Sequence, residues 1–256
     1  METSKHEIRL IGAGWKSVSM IDVHGSIVFV LWLCGCNLKC PFCHNWRLAS
    51  WDKEKCKILD IEELIDSLTA SKNLIDYFHV TGGEPLIQWS ELYKLLEIVK
   101  DLGINNSVNT NLTIVKPLEY MIKKELIDHI ATDLKIPPEE LFGLPSEAVN
   151  ILWKLYLQGI KTVDEYGVLL ELRIPVAKNI PLKVYSQYID EVLNMLKNDR
   201  FYVVIQPLLG PPVTTPRDLG WCEKYCNPGD NLLHEVAEIV RDHGVTRVYV
   251  KQYIRT

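Results

Sequence analysis

The sequence has no apolar run long enough to cross a membrane and no segment that resembles an export signal. The longest apolar run, residues 27–36 with one glycine, spans ten residues, whereas a transmembrane helix needs about 20. The first residues, METSKHEIRLIGAG, lack the charged-then-apolar layout of a signal peptide. We therefore expect a cytoplasmic protein with no membrane association.

The sequence also lacks an excess of basic charge. Its 28 lysines and arginines are outnumbered by 33 aspartates and glutamates, which gives a formal net charge of −5. Nucleic-acid binding is therefore not expected as a general property, because affinity for phosphates depends on a basic excess. We find no internal repeat, low-complexity tract or interdomain linker, and 256 residues with 47% hydrophobic content can bury one large core. We expect a single domain over residues 1–256.

Cysteine is scarce, yet it is concentrated in one stretch. Four of the seven cysteines fall in LCGCNLKCPFCHNW, residues 33–46. Disulfides, a zinc site, a catalytic thiol or an iron–sulfur cluster could each account for such a group. In the cytoplasm, where thiols stay reduced, a metal or catalytic site is more common than a disulfide framework, with hyperthermophiles as the exception.

The spacing inside this stretch favours an iron–sulfur cluster. Cys36, Cys40 and Cys43 form a C-x3-C-x2-C pattern, and three thiolates can hold three irons of a four-iron cluster while the fourth iron stays open. Zinc would want four ligands, usually from two separated pairs, and His44 is poorly placed for the same metal. A nucleophilic cysteine would need an activating base, and the sequence nominates none.

The other four cysteines carry no comparable pattern. Cys34 is expected to be buried at a strand end, because free cysteine packs as a small hydrophobe. Cys56 stands alone in the charged segment WDKEKCKI. Cys222 and Cys226 could form a disulfide or help to hold an auxiliary cluster. We expect a structural or incidental role for them.

Short β-branched runs alternate with amphipathic stretches along the chain. The runs predict strands at residues 26–32, 76–82, 105–110, 127–134, 168–175, 201–207 and 246–254. Between them, apolar residues recur at helical spacing, most clearly in 90–103, with Ser90 as candidate N-cap and Gly103 as candidate stop, and in 185–198. The Pro-rich segment 206–218 predicts a long loop. This β/α alternation predicts a parallel sheet with helical crossovers, whose active site would lie at the carboxyl ends of the strands.

Four motifs resemble those of the radical S-adenosylmethionine (radical SAM) enzymes. CNLKCPFCHN, residues 36–45, is similar to their cluster loop, and its CHN ending looks most like the branch that activates glycyl radical enzymes. VTGGEPLIQ (80–88), VNTN (108–111) and ATDLK (131–135) resemble the motifs at the ends of the second, third and fourth strands. The resemblance covers about residues 14–206, with 207–256 as a C-terminal extension. It implies an α/β fold, a partial (β/α)6 barrel open at one side.

The resemblance also implies which residues bind the cofactors. Cys36, Cys40 and Cys43 would ligate a [4Fe-4S] cluster and form the catalytic centre, with S-adenosylmethionine at the open iron. The residues expected around S-adenosylmethionine come from the loop and the strand ends, and they are Phe42, Gly82, Gly83, Glu84, Thr110, Asn111, Asp133, Lys135, Arg173 and Gln206. Among them, Glu84 would orient the methionine ammonium and Lys135 would pair with the carboxylate. Asn109 stands where activating enzymes usually carry an aspartate, so we do not predict a monovalent cation site.

The activity that the resemblance implies is reductive cleavage of S-adenosylmethionine to a 5′-deoxyadenosyl radical, which would abstract hydrogen from a glycine of a partner enzyme. Residues 14–36 look like the corresponding segment of the proteins that activate anaerobic ribonucleotide reductase, a group similar to the pyruvate formate-lyase activating enzymes. Anaerobic ribonucleotide reductase is therefore the expected partner, with a ferredoxin or flavodoxin as electron donor.

Two other functions are compatible with parts of the pattern. One is a radical SAM enzyme that modifies a small molecule or RNA, such as a 7-carboxy-7-deazaguanine synthase, although CHN rather than C-D-x after the last ligand disfavours it. The other is a non-catalytic zinc or iron–sulfur protein that serves binding or electron transfer. Metal analysis and a test for S-adenosylmethionine cleavage would separate this last function from the first two.

Overall fold

The structure is a computed structural model and describes residues 8–251. Over this range the strands are β1 (Ile11–Ser19), β2 (Val28–Leu33), β3 (Lys57–Ile58), β4 (Tyr77–Gly82), β5 (Asn105–Asn109), β6 (His129–Asp133), β7 (Leu169–Val176), β8 (Phe201–Pro207) and β9 (Val248–Val250). The α-helices are α1 (Trp46–Ala49), α2 (Ile61–Ser71), α3 (Trp89–Asp101), α4 (Val115–Lys123), α5 (Pro138–Leu141), α6 (Ser146–Glu165), α7 (Leu182–Leu193), α8 (Leu219–Tyr225) and α9 (Asp230–Asp242). Short 3-10 helices span Lys72–Leu74 and Pro85–Gln88.

The chain divides into two compact units. One comprises residues 8–37 and 47–131, and the other comprises residues 38–46 and 132–251. The cysteine loop is divided between them, because Cys36 belongs to the first unit and Cys40 and Cys43 belong to the second. The single domain expected over residues 1–256 stays a prediction.

The sheet of the first unit is built around the apolar strand β2. Nearly all of its residues, VFVLWL, are buried, as is usual for a strand inside a parallel sheet. It pairs in parallel with β4, from Val28 opposite Tyr77 to Leu33 opposite Gly82, and β5 and β6 continue in parallel. On its other side β2 pairs with β1, which in turn pairs with β3, both antiparallel. The carboxyl ends of β2, β4 and β5 therefore lie side by side, where the sequence motifs occur.

The second unit contains the later strands. β7, β8 and β9 pair in parallel, and α9 packs on these three strands through Leu233, Val236, Ala237 and Val240, which are buried. Just beyond β6, the Leu134 N–H donates to the carbonyl of Arg173 (2.7 Å). The end of the fourth-strand motif thus lies beside β7.

The α/β fold with an unclosed sheet is confirmed, because β3 and β9 are edge strands within residues 8–251. Each of the seven expected strands overlaps a strand of the structure, although residues 252–254 of the last one lie outside the described residues. The long loop expected over 206–218 is also present, since β8 ends at Pro207 and α8 begins at Leu219. Among residues 8–251, none of the helices combines the length and apolar character needed to cross a bilayer.

Two local expectations were wrong or incomplete. Helix α3 begins at Trp89, so Ser90 lies inside it, and the N-cap position is Gln88, whose side chain makes no capping hydrogen bond. The expected end of the helix is close to the observed one. Helix α3 ends at Asp101, and Gly103, with φ +75°, lies two residues further on. Strands β1 and β3 were not expected at all.

Candidate active site

Two glycines at the end of β4 lie directly against the strand that leads into the cysteine loop. Gly82 has φ +112°, and a Cβ here would collide with the backbone of Leu33, just as a Cβ on Gly83 would collide with the carbonyl of Gly35. The Gly83 N–H donates to Leu33 O (2.9 Å) and the Glu84 N–H donates to Gly35 O (2.7 Å). The sequence predicts a close approach of these glycines to a ligand. In the structure they approach the protein's own backbone.

The carboxylate of Glu84 is fully buried and is held by three donors. Thr110 Oγ1 (2.8 Å) and the Leu86 N–H (3.1 Å) donate to Oε1, and the Asn111 N–H donates to Oε2 (2.6 Å). A buried carboxylate is costly unless it is hydrogen-bonded, so these donors fix its position. The second and third strand-end motifs are therefore joined through Glu84.

Asn111 also connects the third-strand motif to the cysteine loop. Its Nδ2 donates to Asn37 Oδ1 (2.8 Å), and Asn37 Nδ2 donates to Thr113 Oγ1 (2.7 Å). Thr113 Oγ1 in turn donates to Asn111 Oδ1 (2.6 Å). Cys36, the first cysteine of the C-x3-C-x2-C pattern, therefore lies between two residues that are held in place. Gly35 is held by the second-strand motif, and Asn37 is held by the third-strand motif.

The later half of the cysteine loop is anchored within the second unit. The Lys39 N–H donates to Phe142 O (3.0 Å), and the Asp218 N–H donates to Pro41 O (2.9 Å). A Cβ at Gly143 would collide with the backbone of Lys39. The backbone on both sides of Cys40 is therefore held in place by segments that lie far along the chain.

Cys43 is surrounded by charged groups of the second unit. Burial raises the pKa of its thiol above the usual value, whereas a backbone hydrogen bond involving Asn45 and the positive charges of Arg217 and Lys135 act in the opposite direction. Asp133 adds to the effect of burial, so the two cations offset it only in part and the pKa stays above its ordinary value. The proposed ligand role of Cys43 therefore rests on its spacing from Cys36 and Cys40 and not on this pKa.

Asp133 and Lys135 alternate at the end of β6 and form an ion pair, with Lys135 Nζ 3.1 Å from Asp133 Oδ2. Burial acts to raise the pKa of Asp133, but the charges of Lys135 and Arg173 together hold it below its ordinary value. The guanidinium of Arg173 also donates through Nε to Glu171 Oε1 (2.5 Å). Lys135 is thus a buried, oriented cation beside the carboxyl end of a strand, which suits a carboxylate ligand.

The structure places the expected cofactor residues in two groups. In the first unit it brings together Gly82, Gly83, Glu84, Thr110 and Asn111. In the second unit it connects Asp133, Lys135 and Arg173. Phe42 and Gln206 lie apart from that group of contacts. Phe42 packs against Trp221, with the ring centroids 6.0 Å apart, and Gln206 lies opposite Pro175 near the end of β8.

The cysteines separate into three thiols and two disulfides. The thiols are Cys36, Cys40 and Cys43, and the disulfides are Cys34–Cys56 and Cys222–Cys226. No group of three or more cysteine, histidine, aspartate or glutamate side chains within residues 8–251 forms a preformed metal site. The fit to an iron–sulfur cluster therefore rests on the donor chemistry, because the three cysteines in the expected pattern are the three that keep their thiols.

Residues 30–183 match the family model described as the radical SAM superfamily. This stretch covers more than half of the chain and contains the cysteine loop and all three strand-end motifs. The chain belongs to the radical SAM superfamily.

This radical SAM protein has a relative in Methanocaldococcus jannaschii that is provisionally named a glycyl-radical enzyme activating enzyme. The two are 32% identical over 242 residues, which is 92% of this chain and 94% of the relative. This chain is also similar to the 7-carboxy-7-deazaguanine synthase of Hyperthermus butylicus over a shorter stretch. That match is 40% identical over 79 residues and covers 31% of this chain and 32% of the synthase. The longer match covers nearly all of both chains, whereas the shorter one covers about a third of each.

A solved radical SAM methyltransferase from Sphaerobacter thermophilus shares the fold. The TM-score is 0.62, with 14% sequence identity, and the match covers 91% of this chain and 68% of the methyltransferase. At this identity the likeness shows the fold alone.

Three residues around the radical SAM loop were missed by sequence reasoning. Asn37 could have been found, because it stands next to Cys36 inside the motif. Trp51 and Cys56 gave no comparable signal. Both residues contact the loop only in the folded chain. Cys56 forms a disulfide with Cys34, and the indole of Trp51 occupies the space where a side chain at Gly35 would lie.

Proposed function

We propose that this radical SAM enzyme cleaves S-adenosylmethionine reductively and uses the 5′-deoxyadenosyl radical to install a glycyl radical on a partner enzyme, anaerobic ribonucleotide reductase. The observation that carries this proposal is the match over 92% of the chain to the M. jannaschii relative. The CHN ending of the cysteine loop supports the same branch. A ferredoxin or flavodoxin would supply the electron.

Cys36, Cys40 and Cys43 would hold the [4Fe-4S] cluster, which leaves one iron open to the amino and carboxylate groups of S-adenosylmethionine. When bound, the cluster would supply the electron for cleavage of the sulfonium C–S bond. The chain's own task is to bind and orient the substrate and to exclude water around the reacting atoms. Burial of the Glu84, Lys135 and Arg173 side chains fits that task.

Each strand-end motif would bind a different part of S-adenosylmethionine. The carboxylate of Glu84, oriented by Thr110 and Asn111, would accept hydrogen bonds from the methionine ammonium. The cation of Lys135 would pair with the methionine carboxylate, while Asp133 and Gln206 would lie near the ribose. Charge-assisted hydrogen bonds of this kind are about twice as strong as neutral ones.

Lys135→Met is expected to weaken S-adenosylmethionine binding by about 10- to 100-fold, since it removes one charged hydrogen-bond partner worth about 1.5–3 kcal/mol. Iron content should not change, because the three cysteines remain. The measurement is equilibrium binding of S-adenosylmethionine to the cluster-loaded protein. Lys183→Met, at an exposed position of α7, is the matched control. An unchanged affinity for the Lys135 variant would contradict the role given to this side chain.

The proposed function is tested with the cluster-loaded protein, S-adenosylmethionine, a reductant and anaerobic ribonucleotide reductase from the same organism. We expect a glycyl radical doublet in the EPR spectrum of the reductase. A reductase whose radical-bearing glycine is replaced by alanine is the control and should give no doublet. If the cluster is intact and S-adenosylmethionine is cleaved but no doublet forms, the partner is wrong although the radical chemistry stands.

A second function is favoured by one observation, the 79-residue match to a 7-carboxy-7-deazaguanine synthase. In that case the same protein would modify a small molecule or RNA and leave the reductase unchanged. Product analysis of the same reaction mixture by mass spectrometry distinguishes the two outcomes.

A further inference from the structure

One exposed surface of the first unit combines a tryptophan with several lysines. It consists of Trp51, Lys53, Lys55, Lys57 and Ile58, and is called the Trp51 surface below. All five side chains are exposed, including 42% of Trp51 and 60% of Ile58. Large apolar side chains exposed among charged ones are typical of protein-binding sites.

The Trp51 surface is attached to the segment that leads into the cysteine loop. The Cys34–Cys56 disulfide brings the two Cα atoms to 6.1 Å. The indole of Trp51 lies against Gly35, so closely that a Cβ at residue 35 would collide with it. Residues 34 and 35 immediately precede Cys36, so a protein bound to the Trp51 surface would lie beside the segment that carries this proposed ligand.

The surface is positively charged even though the whole chain is acidic. The two neighbouring carboxylates, Asp52 (2.6 Å) and Glu54 (2.7 Å), both bind Arg47, and residues 47–58 carry four cationic side chains against these two carboxylates. The three lysines form no ion pair with any residue between 8 and 251. On a chain of net charge −5, such a local group of cations favours an acidic partner and steers its approach.

Protection of a sheet edge does not explain this surface. Lysine is common on edge strands because it prevents unwanted pairing, and Lys57 lies on the edge strand β3. However, Lys53 and Lys55 lie in the turn before that strand, and neither they nor the exposed Trp51 protect its backbone.

We propose that the Trp51 surface is the docking site of an acidic one-electron donor protein of the flavodoxin type. The inference rests on the proposed function and adds where its electron enters. In the docked complex the donor's flavin loses one electron and the [4Fe-4S] cluster gains it, and no bond forms or breaks. Redox proteins commonly meet through small, weak interfaces, so a surface as small as the Trp51 surface is of the right kind.

The test reverses the charge of the surface in the variant K53E/K55E/K57E. The control is K72E/K116E/K183E, which changes net charge equally at three other exposed lysines. Binding of an acidic flavodoxin to each cluster-loaded protein is measured by titration calorimetry at several salt concentrations. Cluster reduction by the flavodoxin and by photoreduced 5-deazariboflavin, a small neutral reductant, is followed by stopped-flow absorbance.

For the surface variant we expect binding and the second-order reduction rate with flavodoxin to fall by about 10- to 100-fold at low salt, with a weaker salt dependence. Reduction by deazariboflavin should stay at the wild-type rate. Equal losses in the control variant, or wild-type flavodoxin binding in the surface variant, would overturn the proposal. If flavodoxin binding is unchanged but binding of the glycyl radical enzyme is lost, the Trp51 surface binds the glycyl radical enzyme and not the electron donor, and the proposal is again wrong.

The two proposals fail in different ways. If the wild-type protein, reduced by deazariboflavin, does not cleave S-adenosylmethionine, the proposed function is wrong. If it does cleave it while the charge-reversed protein accepts electrons from flavodoxin normally, only the docking site is wrong.

Discussion

Replacing Cys36, Cys40 or Cys43 with alanine is expected to abolish cluster assembly and S-adenosylmethionine cleavage. Each variant leaves two thiolates in the loop, and a cluster with an open iron needs three. The wild-type protein, reconstituted anaerobically, should hold about four irons and four sulfides per chain. Its reduced EPR signal should change when S-adenosylmethionine is added, because the substrate binds the open iron.

The disulfide-bonded cysteines provide the controls. The variants C34A/C56A and C222A/C226A should keep their iron, since neither pair has a thiol available for a metal. C34A/C56A should nevertheless unfold more easily, by about 3 kcal/mol, because a cross-link that closes a loop of this length constrains the unfolded chain. If C34A/C56A loses its iron while one of the three single variants keeps it, the ligand assignment is wrong.

The controls also bear on how far the cysteines could be assigned from sequence. Spacing selected Cys36, Cys40 and Cys43 as ligands, and these are the three cysteines that form no disulfide, whereas their binding of a cluster stays a prediction. Cys34 was expected to pack as a free cysteine, and this was wrong, because it is buried but bonded to Cys56, a partner that spacing could not predict. A disulfide requires two Cα atoms within about 7 Å, and residues 34 and 56 meet only because β3 pairs with β1. Cys222 and Cys226 lie one helical turn apart, and there the sequence retained the disulfide as one of two alternatives.

The fold shows the same difference between patterns that lie within one segment of sequence and contacts that form only in the folded chain. β-branched runs predicted the parallel strands, and helical periodicity predicted two of the helices, α3 and α7, because these patterns are repeated within each element. β1 was missed because it contains two glycines and several exposed residues, which obscure any alternation. β3 has two residues, too few for a pattern, and it exists only through its pairing with β1.

The strand-end motifs were located correctly, but their contacts came from the structure. Gly82 and Gly83 were expected to make room for a ligand, which stays a prediction, and the structure adds that they make room for the backbone of Leu33 and Gly35. Glu84 was expected to face a ligand, and the structure adds that it joins two motifs through Thr110 and Asn111. A sequence shows that a side chain is absent, but not which distant atom occupies the space.

Gly83→Ala is accordingly expected to have a large effect on both stability and cluster assembly. The added Cβ would meet the carbonyl of Gly35, and backbone atoms cannot move aside as a flexible side chain can. Overpacking of this kind costs about 1–3 kcal/mol, and it also displaces the Glu84 N–H from Gly35 O (2.7 Å). Because Gly35 precedes Cys36, we expect a lower free energy of unfolding and a reduced iron content after reconstitution.

Gly220→Ala is the matched control for this prediction. Gly220 lies in α8 and is exposed, and the nearest atom to an added Cβ, Asp218 Oδ1, would be 3.6 Å away. Alanine in a helix is favoured over glycine by up to about 1 kcal/mol, so this variant should be at least as stable as the wild type and should bind a full cluster. Denaturant unfolding and iron analysis measure both effects. If Gly83→Ala loses stability but still assembles a complete cluster, the contact between Gly83 and Gly35 supports the fold without positioning Cys36.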